Sequence, residues 1–233
     1  MSSREKFKTY GNVFDEFTLR TLEKLRTENH FDELESTIAV GKEANLFSAK
    51  QGSGRVMVKI YRVNSCDFNK MYDYIKEDPR YQNLKGKKRQ IIFSWVQREF
   101  RNLMKAREAG VTVPLPITFK NNVLVLELIG DKDSLAPQLK NKKPKNAEEF
   151  LKKIIENMKK MYKAGLVHAD LSPFNILNLN EKPVFIDFSQ ATTSKNQRAE
   201  EFLQRDSKII AQFFKKLGLK VSGEEIIKKI KDK

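Results

Sequence analysis

Cysteine is nearly absent from this chain, and that scarcity excludes a good deal. With Cys66 alone among 233 residues no internal disulfide can form, which fits a reducing, cytoplasmic setting. Two histidines, His30 and His168, and one cysteine are too few for a zinc centre, so no structural metal is expected. No stretch approaches the roughly 18 apolar residues of a membrane-spanning helix. Met1 to Tyr10 lacks the apolar segment of a signal peptide, so no membrane partner is expected either. Glycine is also sparse, at 10 residues, and it never forms a run. Gly41-Lys42 is followed by Glu43, an acid where a phosphate-binding loop of the Gly-Lys-Ser/Thr type needs a hydroxyl for magnesium. No internal repeat is present.

What is abundant is positive charge. Lys and Arg number 45 against 30 Asp and Glu, a net +15, while charged residues make up 32% and apolar ones 39% of the chain. Such a protein is drawn to polyanions, because each phosphate it neutralises releases counterions. Lysines cluster at 85–89, 140–145 and 227–233. A nucleic-acid or ribonucleoprotein partner accounts for three such clusters together, although any one alone could be a solvated face. No recognisable RNA-binding module accompanies them.

Hydrophobic periodicity predicts a helix over residues 14–35, with Leu19, Leu22 and Leu25 at helical spacing. Ser36 to Ala49 reads as strand, tight turn and strand, and Gln51-Gly52-Ser53-Gly54 as a turn. Arg55 to Tyr61 alternates, with Val56, Val58 and Ile60 on one face and Met57, Lys59 and Tyr61 on the other. Residues 64–89 are irregular and polar, with a basic end expected to be mobile. A helix follows from Arg89 to Ala109 and stops at Gly110, then a buried strand from Asn122 leads to a connector near Gly130. Residues 131–146 are polar and lysine-rich. Phe150, Leu151, Ile154, Ile155, Met158 and Met161 form one stripe of a helix from Ala147 to Ala164, with Gly165 as its stop. Further helices are expected over 199–217 and 223–231. A strand-rich half followed by a mainly helical half implies an α+β fold of two lobes. Its parts are an N-terminal helical extension over 1–35, a first lobe over 36–130 and a second over 131–233.

The chemistry concentrates in Leu166-Val167-His168-Ala169-Asp170-Leu171-Ser172-Pro173-Phe174-Asn175, with Val184-Phe185-Ile186-Asp187-Phe188 downstream. His-x-Asp-x-x-x-x-Asn followed by an Asp that closes an apolar run has the order and spacing of a phosphotransfer catalytic loop. In such chemistry one Asp orients the attacking hydroxyl or water, while an Asn and a second Asp hold the metal ions that bridge the nucleotide phosphates. Each residue taken singly would pass for an ordinary turn Asp or Asn. Together, between strand-like flanks, they point to Asp170 as catalytic residue and to Asn175 and Asp187 as metal ligands.

A cation for the phosphates is available in Lys59, late in an apolar strand where a charge is costly without a partner. Glu99 shares the apolar stripe of Ile92, Trp95, Val96, Leu103 and Ala106, and a carboxylate on that stripe calls for a cation. The other readings are an edge-strand lysine and a glutamate reaching to water. Gly41 and Lys42 could cradle phosphate, with Ser36 and Thr37 upstream. Backbone groups of Glu127 and Ile129 could bind adenine, or this could simply be a core strand leaving its sheet. His168 is expected to be structural.

These segments together resemble the RIO family of atypical protein kinases, and its type-1 branch in particular. Ser36-Thr37 with Gly41-Lys42-Glu43-Ala44-Asn45, Val58-Lys59-Ile60-Tyr61, Arg98-Glu99-Phe100-Arg101-Asn102-Leu103, the segment from His168 to Leu177, Ile186-Asp187-Phe188-Ser189-Gln190, and Ala199-Glu200-Glu201-Phe202-Leu203 with Arg205-Asp206 carry the resemblance. It covers about Phe14 to Leu217. It implies a trimmed two-lobed protein-kinase-like fold and magnesium-dependent use of ATP, with Mn2+ as a possible substitute. Lys59 would contact the α- and β-phosphates and pair with Glu99, Asp170 would be catalytic, and Asn175 and Asp187 would bind metal. Glu127 and Ile129 match the hinge positions. The resemblance further implies autophosphorylation, ATP hydrolysis and a role in maturing the small ribosomal subunit, with its precursor rRNA and ribosomal proteins as partner.

Two features depart from the family pattern: Ala39-Val40 precedes Gly41, and Pro173-Phe174 lies inside the catalytic loop. The compact length resembles archaeal members. Three alternatives are an assembly factor in which ATP turnover is incidental, a kinase of the aminoglycoside phosphotransferase type, and the small kinase of a tRNA-modifying complex. The high positive charge fits the second poorly, and the third lacks Gly-Lys-Glu-Ala-Asn.

Overall fold

Asp15 opens the first helix by accepting the backbone N–H of Thr18 at 2.8 Å, and α1 runs Glu16–Thr27. The computed structural model describes residues 14–63, 66–76, 84, 86–130 and 134–232. Helix α1 is shorter than its pattern suggests. Asn29 takes φ 61° just beyond it, which turns the chain so that Glu33 already belongs to a strand. Strands β1 (Glu33–Val40), β2 (Ala44–Gln51) and β3 (Gly54–Tyr61) form an antiparallel meander. With β4 (Pro116–Lys120) and β5 (Val123–Glu127) they complete a five-stranded sheet in the order β1-β2-β3-β5-β4.

Between β3 and β4 lie α2 (Phe68–Ile75) and α3 (Lys88–Glu108). Helix α2 falls in the stretch read from sequence as irregular. Its eight residues are too few for a periodic signal, yet Asp67 caps it and Met71 and Ile75 are buried. Residues 77–83 and 85, where a mobile basic end is expected, lie outside the described residues.

The chain forms two compact units: residues 1–97 with 116–128, and residues 98–115 with 129–233. The apolar cluster of the first unit includes Phe14, Leu22, Leu25, Phe31, Phe47, Val58, Ile60 and Val125. Removing so much apolar area from water, at about 25 cal/mol per Å2, is what holds α1 to the sheet. Polar contacts fix the register. Asn122 Nδ2 donates to Thr18 Oγ1 and to the Tyr61 carbonyl, both at 2.9 Å, and Asn121 Nδ2 donates to Thr21 Oγ1 at 3.0 Å.

The second unit contains α4 (Ala147–Lys163), β6 (Leu166–Val167), β7 (Ile176–Leu179), β8 (Lys182–Phe185), β9 (Thr192–Thr193), α5 (Ala199–Lys215) and α6 (Gly223–Lys231). It is less purely helical than its pattern, because two small antiparallel pairs, β6 with β9 and β7 with β8, hold its loops. Asn146 caps α4, Gly165 at φ 67° ends it, and Ser222 with Glu225 forms a capping box on α6. Among the described residues no helix is long and apolar enough to cross a membrane.

Candidate active site

In the first unit Lys59 lies on β3, which pairs with β2 on one side and β5 on the other, so it is not on an edge strand. Only 8% of its surface is exposed, so its stem is packed and its ammonium carries a desolvation cost that a partner or ligand must offset. Met57 beside it is half-buried and Tyr61 buried, so both faces of β3 are covered where the sequence alternates.

The turn from β1 to β2 is a tight three-residue link, at the base of which Gly41 N–H donates to the Ala44 carbonyl at 2.9 Å. A Cβ at Gly41 would lie 2.8 Å from that same oxygen, so only glycine fits without a shift. Lys42 is exposed on this turn. Ser36 is not part of it: its hydroxyl is 2.8 Å from Ser48 Oγ across the strands, and β1 is bulged on both sides of the Ser36-Thr37 pair. The carbonyl of Glu43 accepts Arg62 N–H at 2.9 Å and the Cys66 thiol at 3.2 Å. Burial, with Glu43 nearby, pushes that thiol up to about 11 and leaves it inert. Glu127 ends β5 with an exposed side chain.

In the second unit Ile129 is half-buried, and its carbonyl accepts Ala136 N–H at 3.0 Å. Glu99, on α3, is 1% exposed, so the reading of a glutamate reaching to water does not hold.

The segment from His168 to Asp187 is a continuous hydrogen-bonded assembly. Asn175 Nδ2 donates to the Asp170 carbonyl at 2.8 Å and to Asp170 Oδ2 at 3.1 Å, while Asn175 N–H reaches the Ser172 carbonyl at 2.9 Å. The Asn175 carbonyl in turn accepts Ile186 N–H at 3.0 Å, which joins the loop to the residue before Asp187. Asp187 adopts φ 62°, and its Oδ1 accepts the Ser189 hydroxyl at 2.7 Å. His168 Nε2 lies 3.1 Å from the Ile186 carbonyl, and its ring lies 4.7 Å from that of Phe188. Burial, opposed by Asp187, drives the His168 imidazole down to about 4, so it is a neutral packing residue near pH 7.

Sequence reasoning named Arg205-Asp206 only as part of the family resemblance and gave neither residue a role, yet these two shape the loop. Asp206, on α5 and 1% exposed, accepts the N–H of Ala169 at 2.9 Å and of Leu171 at 3.1 Å. Arg205 donates to the Ala169 carbonyl. Ala169 sits at φ 63°, a left-handed conformation that costs a non-glycine residue about 1–3 kcal/mol unless its surroundings impose it. Both of its peptide groups are gripped, and the grip presents Asp170. Burial raises the Asp206 carboxyl to about 7, against the lowering effects of Arg205 and the two amides. In the sequence the pair stands in the helix that carries part of the resemblance, with nothing to show which groups it meets.

The donor set suits a hard divalent cation. Asp187 and Asn175 would supply a carboxylate and an amide oxygen, and Mg2+ with a nucleotide takes one or two such groups plus phosphates and water. Among the described residues no three or more His, Cys, Asp or Glu come together as a group able to hold a metal ion. On the rim of the same loop Phe174 is 55% exposed, with the Lys140 ammonium 4.1 Å from its ring centre.

The model of the RIO domain matches residues 45–226. A RIO-type serine/threonine-protein kinase Rio1 from Haloferax volcanii is 40% identical over 97% of this chain and 78% of its own length. One of the same description from Methanocaldococcus jannaschii is 41% identical over 98% of this chain and 79% of its own. Among solved structures, a Rio2 kinase–ADP/Mg2+–phosphoaspartate complex from Chaetomium thermophilum superposes with a TM-score of 0.68 at 23% identity, over 91% of this chain and 66% of that one. At that identity the likeness establishes the fold, a trimmed two-lobed kinase-like α+β fold, and nothing finer.

Proposed function

The chain belongs to the RIO family, an enzyme family of serine/threonine-kinase type, and from that premise we propose that it transfers the γ-phosphoryl group of ATP in a magnesium-dependent reaction during maturation of the small ribosomal subunit. The observation that carries this reading is the Asp170–Asn175–Asp187 assembly, in which a carboxylate for the attacking hydroxyl and two oxygen donors for a metal are braced by one network.

In this reading Asp170 orients the serine, threonine or water oxygen and takes its proton as that oxygen bonds to the γ-phosphorus and the bond to the β–γ bridging oxygen breaks. Lys59 holds the α- and β-phosphates, and Glu99 is assigned as the carboxylate that orients it. Asn175 and Asp187 hold Mg2+, or Mn2+ in its place. The metal, when bound, offsets the charge that develops on the phosphates. Gly41 and Lys42 border the phosphates. The backbone of Glu127 and Ile129 reads adenine, and because the Ile129 carbonyl is committed to Ala136, its N–H is the group on offer. Placement in the cytoplasm rests on the single cysteine, and a precursor small-subunit particle as partner on the net +15 and on the exposed lysines of 140–145 beside the catalytic loop.

The test uses γ-labelled ATP with Mg2+, following protein label and free phosphate together, with and without small-subunit precursor particles. Asp170→Ala is expected to abolish both signals while ATP still binds, and Asp187→Asn to weaken the magnesium-dependent part of binding. Hydroxylamine-stable label on a particle protein marks a serine/threonine kinase, and hydroxylamine-labile label an acyl phosphate on aspartate. Particle-stimulated phosphate release marks an ATPase switch. Turnover independent of Asp170 would overturn the reading.

A further inference from the structure

Arg98, Asn102 and Lys105 recur on α3 at spacings that place them on one face, and all three donate to backbone carbonyls. Arg98 reaches the Ala191 carbonyl through Nε at 3.3 Å and through Nη2 at 3.0 Å. Asn102 Nδ2 donates to the Phe188 carbonyl at 3.1 Å and to that of Ala191 at 2.7 Å. Lys105 Nζ reaches the Gly165 carbonyl at 3.3 Å. Gly165 and Ala191 stand directly before β6 and β9, whose residues pair Leu166 with Thr193 and Val167 with Thr192.

The first two of these contacts bear on Asp187. Ala191 N–H donates to the Phe188 carbonyl at 3.2 Å, which closes residues 188–191 into a turn. Ser189, inside that turn, holds Asp187 Oδ1. Both carbonyls of the turn are therefore fastened to the helix that also carries Glu99. Arg98 is only 8% exposed, and burying a guanidinium against a loop is costly unless its donors are used, as they are here.

We propose that Arg98 and Asn102 are positioning residues that set the Asp187 carboxylate for its divalent cation and bind it to the Glu99 helix, so that these two acidic groups move as one piece. No separate event is then needed to bring the metal loop into place. The inference rests on the reading of Asp187 as a metal ligand given above.

The experiment titrates Mg2+ against binding of a fluorescent ATP analogue for wild type, Asn102→Ala, Arg98→Ala, Arg98→Lys, Asp187→Asn and the exposed-face control Arg101→Ala. Amide exchange is measured on the metal-free proteins in parallel. Asn102→Ala and Arg98→Ala are expected to raise the Mg2+ requirement about tenfold, the usual scale for groups that orient a metal ligand. Metal-free nucleotide affinity should not change, and the amides of 188–191 should exchange faster. Arg98→Lys, which keeps one donor, should recover part of the loss, and it carries the test if an alanine variant does not fold. Lower thermal stability with an unchanged Mg2+ requirement would overturn the proposal and leave a merely structural contact. An unchanged requirement in Asp187→Asn would overturn the metal assignment itself, which separates the two failures.

Discussion

The two units of this chain hold their candidate site residues in opposite ways. In the first, Lys59 and the Gly41 turn belong to a sheet packed by Leu22, Leu25, Val58 and Val125, and the turn exposes Gly41 and Lys42, with Gly41 bonded to Ala44 and the Glu43 carbonyl to Arg62 and Cys66. In the second, Asp170 and Asp187 lie on loops that polar side chains, buried or half-buried, grip through the backbone: Asp206 and Arg205 around Ala169, and Arg98 and Asn102 around Phe188 and Ala191. Apolar packing holds a surface without fixing where a loop points. Directional hydrogen bonds fix position, and each becomes expensive if one partner is removed while the other stays buried.

The comparison can be broken most forcefully by substituting one residue of each kind. Leu22→Ala, at a side chain with no exposure, should cost about 2–5 kcal/mol of stability by leaving a cavity, with turnover per folded molecule unchanged at low temperature. Asp206→Ala strands two buried amides at about 1–3 kcal/mol each, and should lower turnover sharply even where the protein is fully folded. Urea titration with single-turnover assays on the same samples checks both. Equal turnover losses for the two variants would dissolve the distinction.

A pH series sharpens it further. His168, depressed from 6.5 to about 4, contributes stability that is present above pH 6.5 and is lost as pH falls through about 4. Asp206, raised from 3.8 to about 7, contributes stability that is present below pH 3.8 and is lost as pH rises through about 7. Between pH 4 and 6.5 the two slopes oppose each other and the wild-type stability should be nearly flat. Asp206→Asn should uncover the histidine slope, a stability that rises with pH by up to about 1.4 kcal/mol per unit. Urea midpoints at several pH values across that window measure it, and a flat profile in the variant would remove the assignment. The smallest effect is expected for Gly41→Ala. Its Cβ meets the Ala44 oxygen at 2.8 Å, so ATP affinity should fall several-fold while the melting temperature hardly moves.

Long periodic elements were readable from the chain. The α4 stripe, the β3 alternation and the helix bearing Glu99 are each extended enough to carry a pattern, and Lys59 and Glu99 stand out as charges inside apolar surroundings. Asp170, Asn175 and Asp187 could be picked out because one short stretch contains them in a chemically meaningful order. Asp206, Arg205 and Asn102 stand in segments that carry the resemblance, but their roles could not be read, because their partners are backbone atoms tens of residues away and any residue type offers a carbonyl or an amide. Strands of two residues, such as β6 and β9, are too short to show a period. Helix α1 was overread because the leucine stripe ends well before the polar turn at Asn29 shows itself.

The bulges of β1 have a consequence for how the protein behaves when concentrated. Among the described strands β1 lies at one end of the sheet order, where unpaired backbone groups invite another chain to add itself. Two register irregularities, with exposed Glu35, Ser36 and Thr37 between and around them, spoil that template. A β1 rebuilt as a regular strand, flat and free of charge, would be expected to turn this sheet into a seed for edge-to-edge aggregates.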